Sequence, residues 1–135
     1  MALFQWTNDL SVNVKEIDAQ HKKLVDLINL LHDSMKAGKG KDVMGKVLND
    51  LVDYTVYHFG TEEKLFEKHG YPESQQHKKQ HDDLTKQVKE VKSKFEAGQT
   101  TISVDVLNFL KDWLNNHIKM TDKRYSGFMN SKGVN

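Results

Sequence analysis

The stretch Tyr57–His81, YHFGTEEKLFEKHGYPESQQHKKQH, decides the reading of the fold. It holds His58 and Glu62 four residues apart, a Gly70-Tyr71-Pro72 break, and then His77 and His81, again four apart. Residues at this spacing on an α-helix lie about 40° apart around the axis and one turn apart along it, so each pair aims two side chains at one place. The stretch therefore reads as the end of one helix and the start of the next, with two pairs of metal-ligating groups facing each other across a turn.

Working outward, the helix that ends in the first pair begins near Lys41 or Asp42 and runs to His69. Met44, Val47, Leu48, Leu51, Thr55, His58, Glu62, Leu65 and Phe66 form its inward stripe, and Gly70 with Pro72 stops it. The helix that begins with the second pair starts near Glu73 and reaches Ala97-Gly98, with Leu84, Val88, Val91 and Phe95 continuing the stripe of His77 and His81. Downstream, Ser103 caps a further helix carrying Val106, Leu110, Trp113, Leu114, His117 and Thr121 inward to about Tyr125. Upstream, Asp18 is read as the cap of a helix that ends at Ala37-Gly38-Lys39-Gly40. Its first turn holds His21, in line with Leu24, Val25, Ile28, Leu31 and Met35.

Residues 1–17 alternate too loosely for a helix and are expected to form an ordered arm, with Phe4, Trp6, Leu10, Val12, Val14 and Ile17 laid on the domain. Residues 126–135 show no period and are expected to be a loose tail. The fold class is thus all-α, a single domain over 1–135 with the bundle at 18–125. Four helices with short polar, Gly and Pro breaks are most simply packed up-down-up-down as an antiparallel four-helix bundle. In that topology the start of the first helix, the end of the second, the start of the third and the end of the fourth share one end of the bundle. His21, His58 with Glu62, His77 with His81, and His117 with Asp122 occupy those four places.

A lone inward histidine is more often a hydrogen-bonded core residue than a ligand. Five imidazoles and two carboxylates buried at one level are another matter, because unsatisfied they would cost roughly 1–3 kcal/mol each. A metal site resolves the conflict. Seven ligands exceed the four to six that one small transition ion accepts, so two ions sharing the carboxylates is the natural count. Asp122 is the weakest ligand on geometry: five residues after His117 it lies about 140° away on a regular helix, so it must reach in from a distorted last turn. His32 and His69 sit too far along their helices, about 16 Å from His21 and about 10 Å from Glu62, to join the same ions. Ordinary surface or helix-end roles are expected of both.

Composition narrows the chemistry. The 135-residue chain has 20 Lys+Arg against 19 Asp+Glu, a formal charge of +1, which favours neither nucleic acid nor an anionic membrane. With no Cys, disulfides and thiolate sites are excluded, leaving imidazole and carboxylate for iron, manganese or zinc. No apolar run approaches the roughly 18 residues of a membrane span, and no leader pattern opens the chain. A soluble, cytoplasmic monomer is expected. No His-Glu-x-x-His or Glu-x-x-His occurs, so neither a zinc protease nor a ferritin-type oxygen-activating site has support.

The sequence resembles the hemerythrins, specifically the single-domain bacterial ones. Asp-Ala-Gln-His21, His58-Phe-Gly-Thr-Glu62, His77-Lys-Lys-Gln-His81 and Trp113-Leu-Asn-Asn-His117-Ile-Lys-Met-Thr-Asp122 carry the resemblance, which runs from Trp6 to Tyr125. It implies two non-heme iron ions. The residues matching His77, His81 and His117 would complete one iron, and those matching His21 and His58 would hold a second with an open position. Glu62, Asp122 and an oxo or hydroxo group would bridge the pair. It further implies reversible dioxygen binding at the open position, in a pocket lined by Phe59, Trp113, Leu114 and Ile118 with Leu24 near its mouth. Storage, delivery to an oxidase or oxygenase, or scavenging would follow. Two other readings stay open: an oxygen or redox sensor module, and a di-iron enzyme acting on peroxide or nitric oxide, which multiple turnovers would reveal.

Overall fold

The computed structural model describes residues 3–99 and 103–135; residues 1–2 of the expected arm and 100–102 of the third connection lie outside them. Four long helices form the body: α1 (Lys15–Lys36), α2 (Lys41–His69), α3 (Ser74–Glu96) and α4 (Val104–Met120). Helix α1 packs against α2 and α4, and α2 also packs against α3, giving the four-helix bundle. The expected stripes face one core, with Leu24, Ile28, Leu31, Leu48, Leu51, Val88 and Leu110 buried in it; on α4, Leu107, which the expected stripe omitted, is fully buried and Val106 only partly so.

The turn between α2 and α3 shows why the two ligand pairs face each other. Gly70 takes the left-handed conformation with φ 69°, a region that costs a Cβ-bearing residue energy. Its N–H and that of Tyr71 both donate to the carbonyl of Phe66, which ties off the end of α2 as the chain reverses. Ser103 caps α4 as its sequence position suggests, its Oγ accepting from the N–H of Val106 at 3.3 Å.

Three boundaries differ from the sequence reading. Helix α1 starts at Lys15, three residues before Asp18. Asp18 does not cap the helix; from inside the first turn it holds the arm, Oδ1 accepting from the N–H of Val12 at 2.8 Å and Oδ2 from Ser11 Oγ at 2.6 Å. Residues 3–14 form an ordered arm, with Phe4, Leu10, Val12 and Val14 buried and the Asn29 side chain bonded to both the N–H and the carbonyl of Phe4.

The fourth helix stops at Met120 rather than near Tyr125, and Asp122–Tyr125 continues as a tighter 3-10 turn. The expected loose tail is instead partly helical: α5 (Ser126–Ser131) buries Met129 and clasps the arm. Ser126 Oγ donates to the carbonyl of Val12 at 2.7 Å, and Asn130 Nδ2 to that of Asn13 at 3.0 Å. Six residues are too few for a helix to stand alone, so α5 exists only through these partners, which lie more than 100 residues away in sequence. Met129→Ala should therefore cost on the order of 2 kcal/mol in urea denaturation of the loaded protein, the low end for a buried methionine. A frayed tail would show no change.

Candidate metal centre

Each long helix delivers its candidate ligands to the same end of the core, and the 3-10 turn after α4 delivers the last. His21, His58, Glu62, His77, His81, His117 and Asp122 are all at most 6% exposed. The winding change between His117 and Asp122 removes the geometric objection to Asp122, because a 3-10 turn re-aims its carboxylate. Asp122 Oδ1 lies 2.8 Å from His77 Nε2 and 3.0 Å from His117 Nε2, and Oδ2 lies 3.0 Å from His21 Nε2. Glu62 Oε1 lies 3.1 Å from His81 Nε2 and 3.3 Å from His58 Nε2.

The side-chain atoms fall into two overlapping groups, each with its atoms within 4.8 Å of one another. One comprises Glu62, His77, His81, His117 and Asp122; the other comprises His21, His58, Glu62 and Asp122. Both carboxylates belong to both groups. Despite the short distances, the Nε2 atoms of all five histidines, Oε1 of Glu62 and both oxygens of Asp122 are buried without a hydrogen-bond partner. Buried polar groups are normally satisfied, and eight that converge unsatisfied make a cluster able to hold metal. The donor set, nitrogen and oxygen without sulfur, fits borderline cations.

Electrostatics agree. Burial would raise the pKa of Asp122, but His117, His21 and His77 outweigh it and hold the carboxyl well below its usual range. Glu62 is likewise held down: burial and Asp122 push it up, and His58 and His81 prevail. The imidazoles divide. Burial lowers His58 below the ordinary 6.5 despite Glu62, whereas for His117 the Asp122 carboxylate overcomes burial and raises it. In the metal-free protein, histidine-resolved NMR should show His117 losing its proton at higher pH than His58. The stability contributed by His117 is then full below its unfolded pKa and lost as pH rises through the folded one. That contributed by the carboxylates is lost as pH falls through their depressed folded values. Coincident titration of the two imidazoles would contradict the geometry.

Of the residues expected around oxygen, Phe59 stacks on His81 with ring centroids 3.9 Å apart and an interplanar angle of 6°. It also meets His117 edge to face and lies tilted against His58. Leu24, Leu114 and Ile118 are buried in the core. Trp113 donates from Nε1 to the carbonyl of Leu84 and, with His117, Phe109 and Met120, lines a groove of about 480 Å³ between α3 and α4. His32 and His69 are outside both ligand groups, as expected; His32 lies beside Asp33 at 3.9 Å.

Three contributors escaped the sequence reading. Tyr125, buried in the 3-10 turn, donates a short hydrogen bond to Glu62 Oε2. Burial and the two carboxylates push its hydroxyl well above the ordinary tyrosine range, so it remains a donor. Gln20 Oε1 accepts from His58 Nδ1 at 2.7 Å, and Glu63 Oε2 lies 3.0 Å from His81 Nδ1. Gln20 and Glu63 adjoin ligands in sequence, which is a weak signal; Tyr125 carries none, since its partner is 63 residues away.

Comparison with known proteins places this geometry. Residues 12–128 match the family described as the hemerythrin HHE cation binding domain. A bacteriohemerythrin of Methylococcus capsulatus is 40% identical over 126 residues, 93% of this chain and 95% of that protein. A hemerythrin-like protein of Naegleria gruberi is 33% identical, covering 93% of each. The crystal structure of a wild-type hemerythrin superposes with a TM-score of 0.86 at 40% identity, covering 93% of this chain and 97% of that one. Agreement of sequence and backbone over nearly the full length has one reading: the chain belongs to the hemerythrin family.

Proposed function

We propose that this chain binds dioxygen reversibly at two non-heme iron ions, for storage, delivery to an oxidase or oxygenase, or scavenging. The observation that carries the reading is that Glu62 and Asp122 are common to both ligand groups. His77, His81 and His117 would hold one ion and His21 and His58 the other, with the two carboxylates and an oxo or hydroxo group between them. Such a pair supplies two electrons to dioxygen on binding and recovers them on release.

The chain's own residues favour carriage. The second group offers four protein ligands against five in the first, leaving room for a small molecule on that side. Phe59, with Leu24, Trp113, Leu114 and Ile118 as the rest of the proposed pocket, presents an apolar wall that keeps water and proton donors away. The hydroxyl nearest the carboxylates, that of Tyr125, is already engaged by Glu62. Histidine-rich ligation adds little negative charge, so strongly oxidised iron is poorly stabilised and turnover is disfavoured.

The test is anaerobic reduction of metal-counted protein, followed by addition and removal of oxygen while visible absorption is recorded. Two irons per chain and a band that appears with oxygen and disappears without it would support the proposal. Irreversible oxidation with no such band would overturn it in favour of a sensor or an enzyme.

Leu114→Ala bears on the wall. It should leave iron loading intact but open space for water, so that the oxygenated protein decays roughly tenfold faster, equivalent to about 1.4 kcal/mol of barrier. Stopped-flow decay rates check it, and an unchanged rate would remove Leu114 from the pocket.

A further inference from the structure

The two metal positions are supported unequally from behind. His81 in the larger group is backed by a carboxylate, with Glu63 Oε2 at 3.0 Å from Nδ1. His58 in the smaller group is backed by a neutral amide, with Gln20 Oε1 at 2.7 Å from Nδ1. The amide orientation is fixed by a relay: Thr61 donates its hydroxyl to the carbonyl of Tyr57 at 3.2 Å and so accepts from Gln20 Nε2 at 3.3 Å, turning Oε1 towards His58. Both imidazoles are thereby held with the proton on Nδ1 and the Nε2 lone pair facing the ligand cluster. They differ in charge. Glu63 forms no ion pair with Lys or Arg among the described residues, so no neighbouring cation cancels its carboxylate.

We propose that Glu63 is a positioning residue that makes the two metal positions electronically unequal, acting through His81 while neutral Gln20 backs His58. This rests on the two-iron reading above. A carboxylate on the remote nitrogen draws the ring proton towards itself and makes the imidazole a stronger donor. A stronger donor and an added negative charge both stabilise the ferric over the ferrous ion. The ion held by His77, His81 and His117 is therefore the first of the pair to give up an electron and the last to regain one. The ion on the side with fewer protein ligands keeps its electron longer. Glu63 is 29% exposed at its side chain, so salt screens part of the effect.

A purely structural role for Glu63, holding the ring in place, predicts something different, and the conservative variant separates the two. Glu63→Gln retains an acceptor for Nδ1–H and removes the charge, whereas Gln20→Glu adds a charge behind the other group. The experiment is spectroelectrochemical titration of iron-loaded wild type, Glu63→Gln, Glu63→Ala and Gln20→Glu, with iron counted in each.

In Glu63→Gln the ferric/ferrous equilibrium of the more easily oxidised ion should move about tenfold towards ferrous, about 59 mV upward for one electron. Gln20→Glu should lower the potential of the other ion and bring the two steps together. An unmoved potential in Glu63→Gln, with a shift only in Glu63→Ala, would reduce Glu63 to orientation and overturn the inference. Failure of the wild type to load two irons would overturn the proposed function itself, an outcome visible in the iron count before any potential is read.

Discussion

Asp122→Asn is expected to purify without its metal. The carboxylate stands between three imidazoles at 2.8–3.0 Å, those of His21, His77 and His117, and belongs to both ligand groups. Asparagine preserves the shape but replaces an anionic oxygen with an amide nitrogen that cannot ligate. Both positions are damaged at once. Groups merely backing a ligand cost about 10- to 100-fold in affinity, so loss of a shared ligand should exceed about 100-fold. Metal analysis after dialysis checks this, with circular dichroism confirming the helices. A variant that kept two metals per chain would remove Asp122 from the shared position.

Stripping the metal from the wild type with a chelator should lower Tm by more than about 10 °C. A ligand present at about 1,000 times its Kd stabilises the folded state by about 4 kcal/mol, and for a domain of this size each kcal/mol moves Tm by roughly 3–5 °C. The stripped protein also retains its burden of unsatisfied atoms, the five Nε2 atoms and the carboxylate oxygens facing them. The loss should be felt unevenly. Asp122 and Tyr125 lie in the 3-10 turn that leads into α5, and α5 holds the arm through Val12 and Asn13. Hydrogen exchange should therefore quicken first in the 3-10 turn, α5 and the arm, before the middle of the bundle. Equal Tm values with and without metal, or uniform exchange, would contradict this coupling.

Much of the site was legible because its residues sit on long helices. His58 and Glu62, or His77 and His81, are meaningful at a separation of four only if the segment is helical, and the apolar stripes extending from each pair make it so. Antiparallel packing then carries four remote sequence positions to one end. The resemblance carried by the same residues supplied what spacing does not, namely iron and oxygen.

Where the reading failed, the reason is the same each time. Periodicity reports on segments long enough to show a period, and partners distant in the chain leave none. Residues 126–135 look patternless because α5 is shaped by Met129 entering the core and by bonds to Val12 and Asn13. Asp18 looks like a helix cap and is instead the anchor of the arm on the first turn.

The sequence by itself determined four helices, their antiparallel register and seven polar residues gathered at one level, since helical period and chain reversal are local properties. Only the tertiary structure decided which carboxylate oxygen meets which imidazole, and that Gln20, Glu63 and Tyr125 stand behind them. Those are relations between elements, set by how four helices and one tight turn pack, and hydrogen-bond direction at a distance of 3 Å has no period to read.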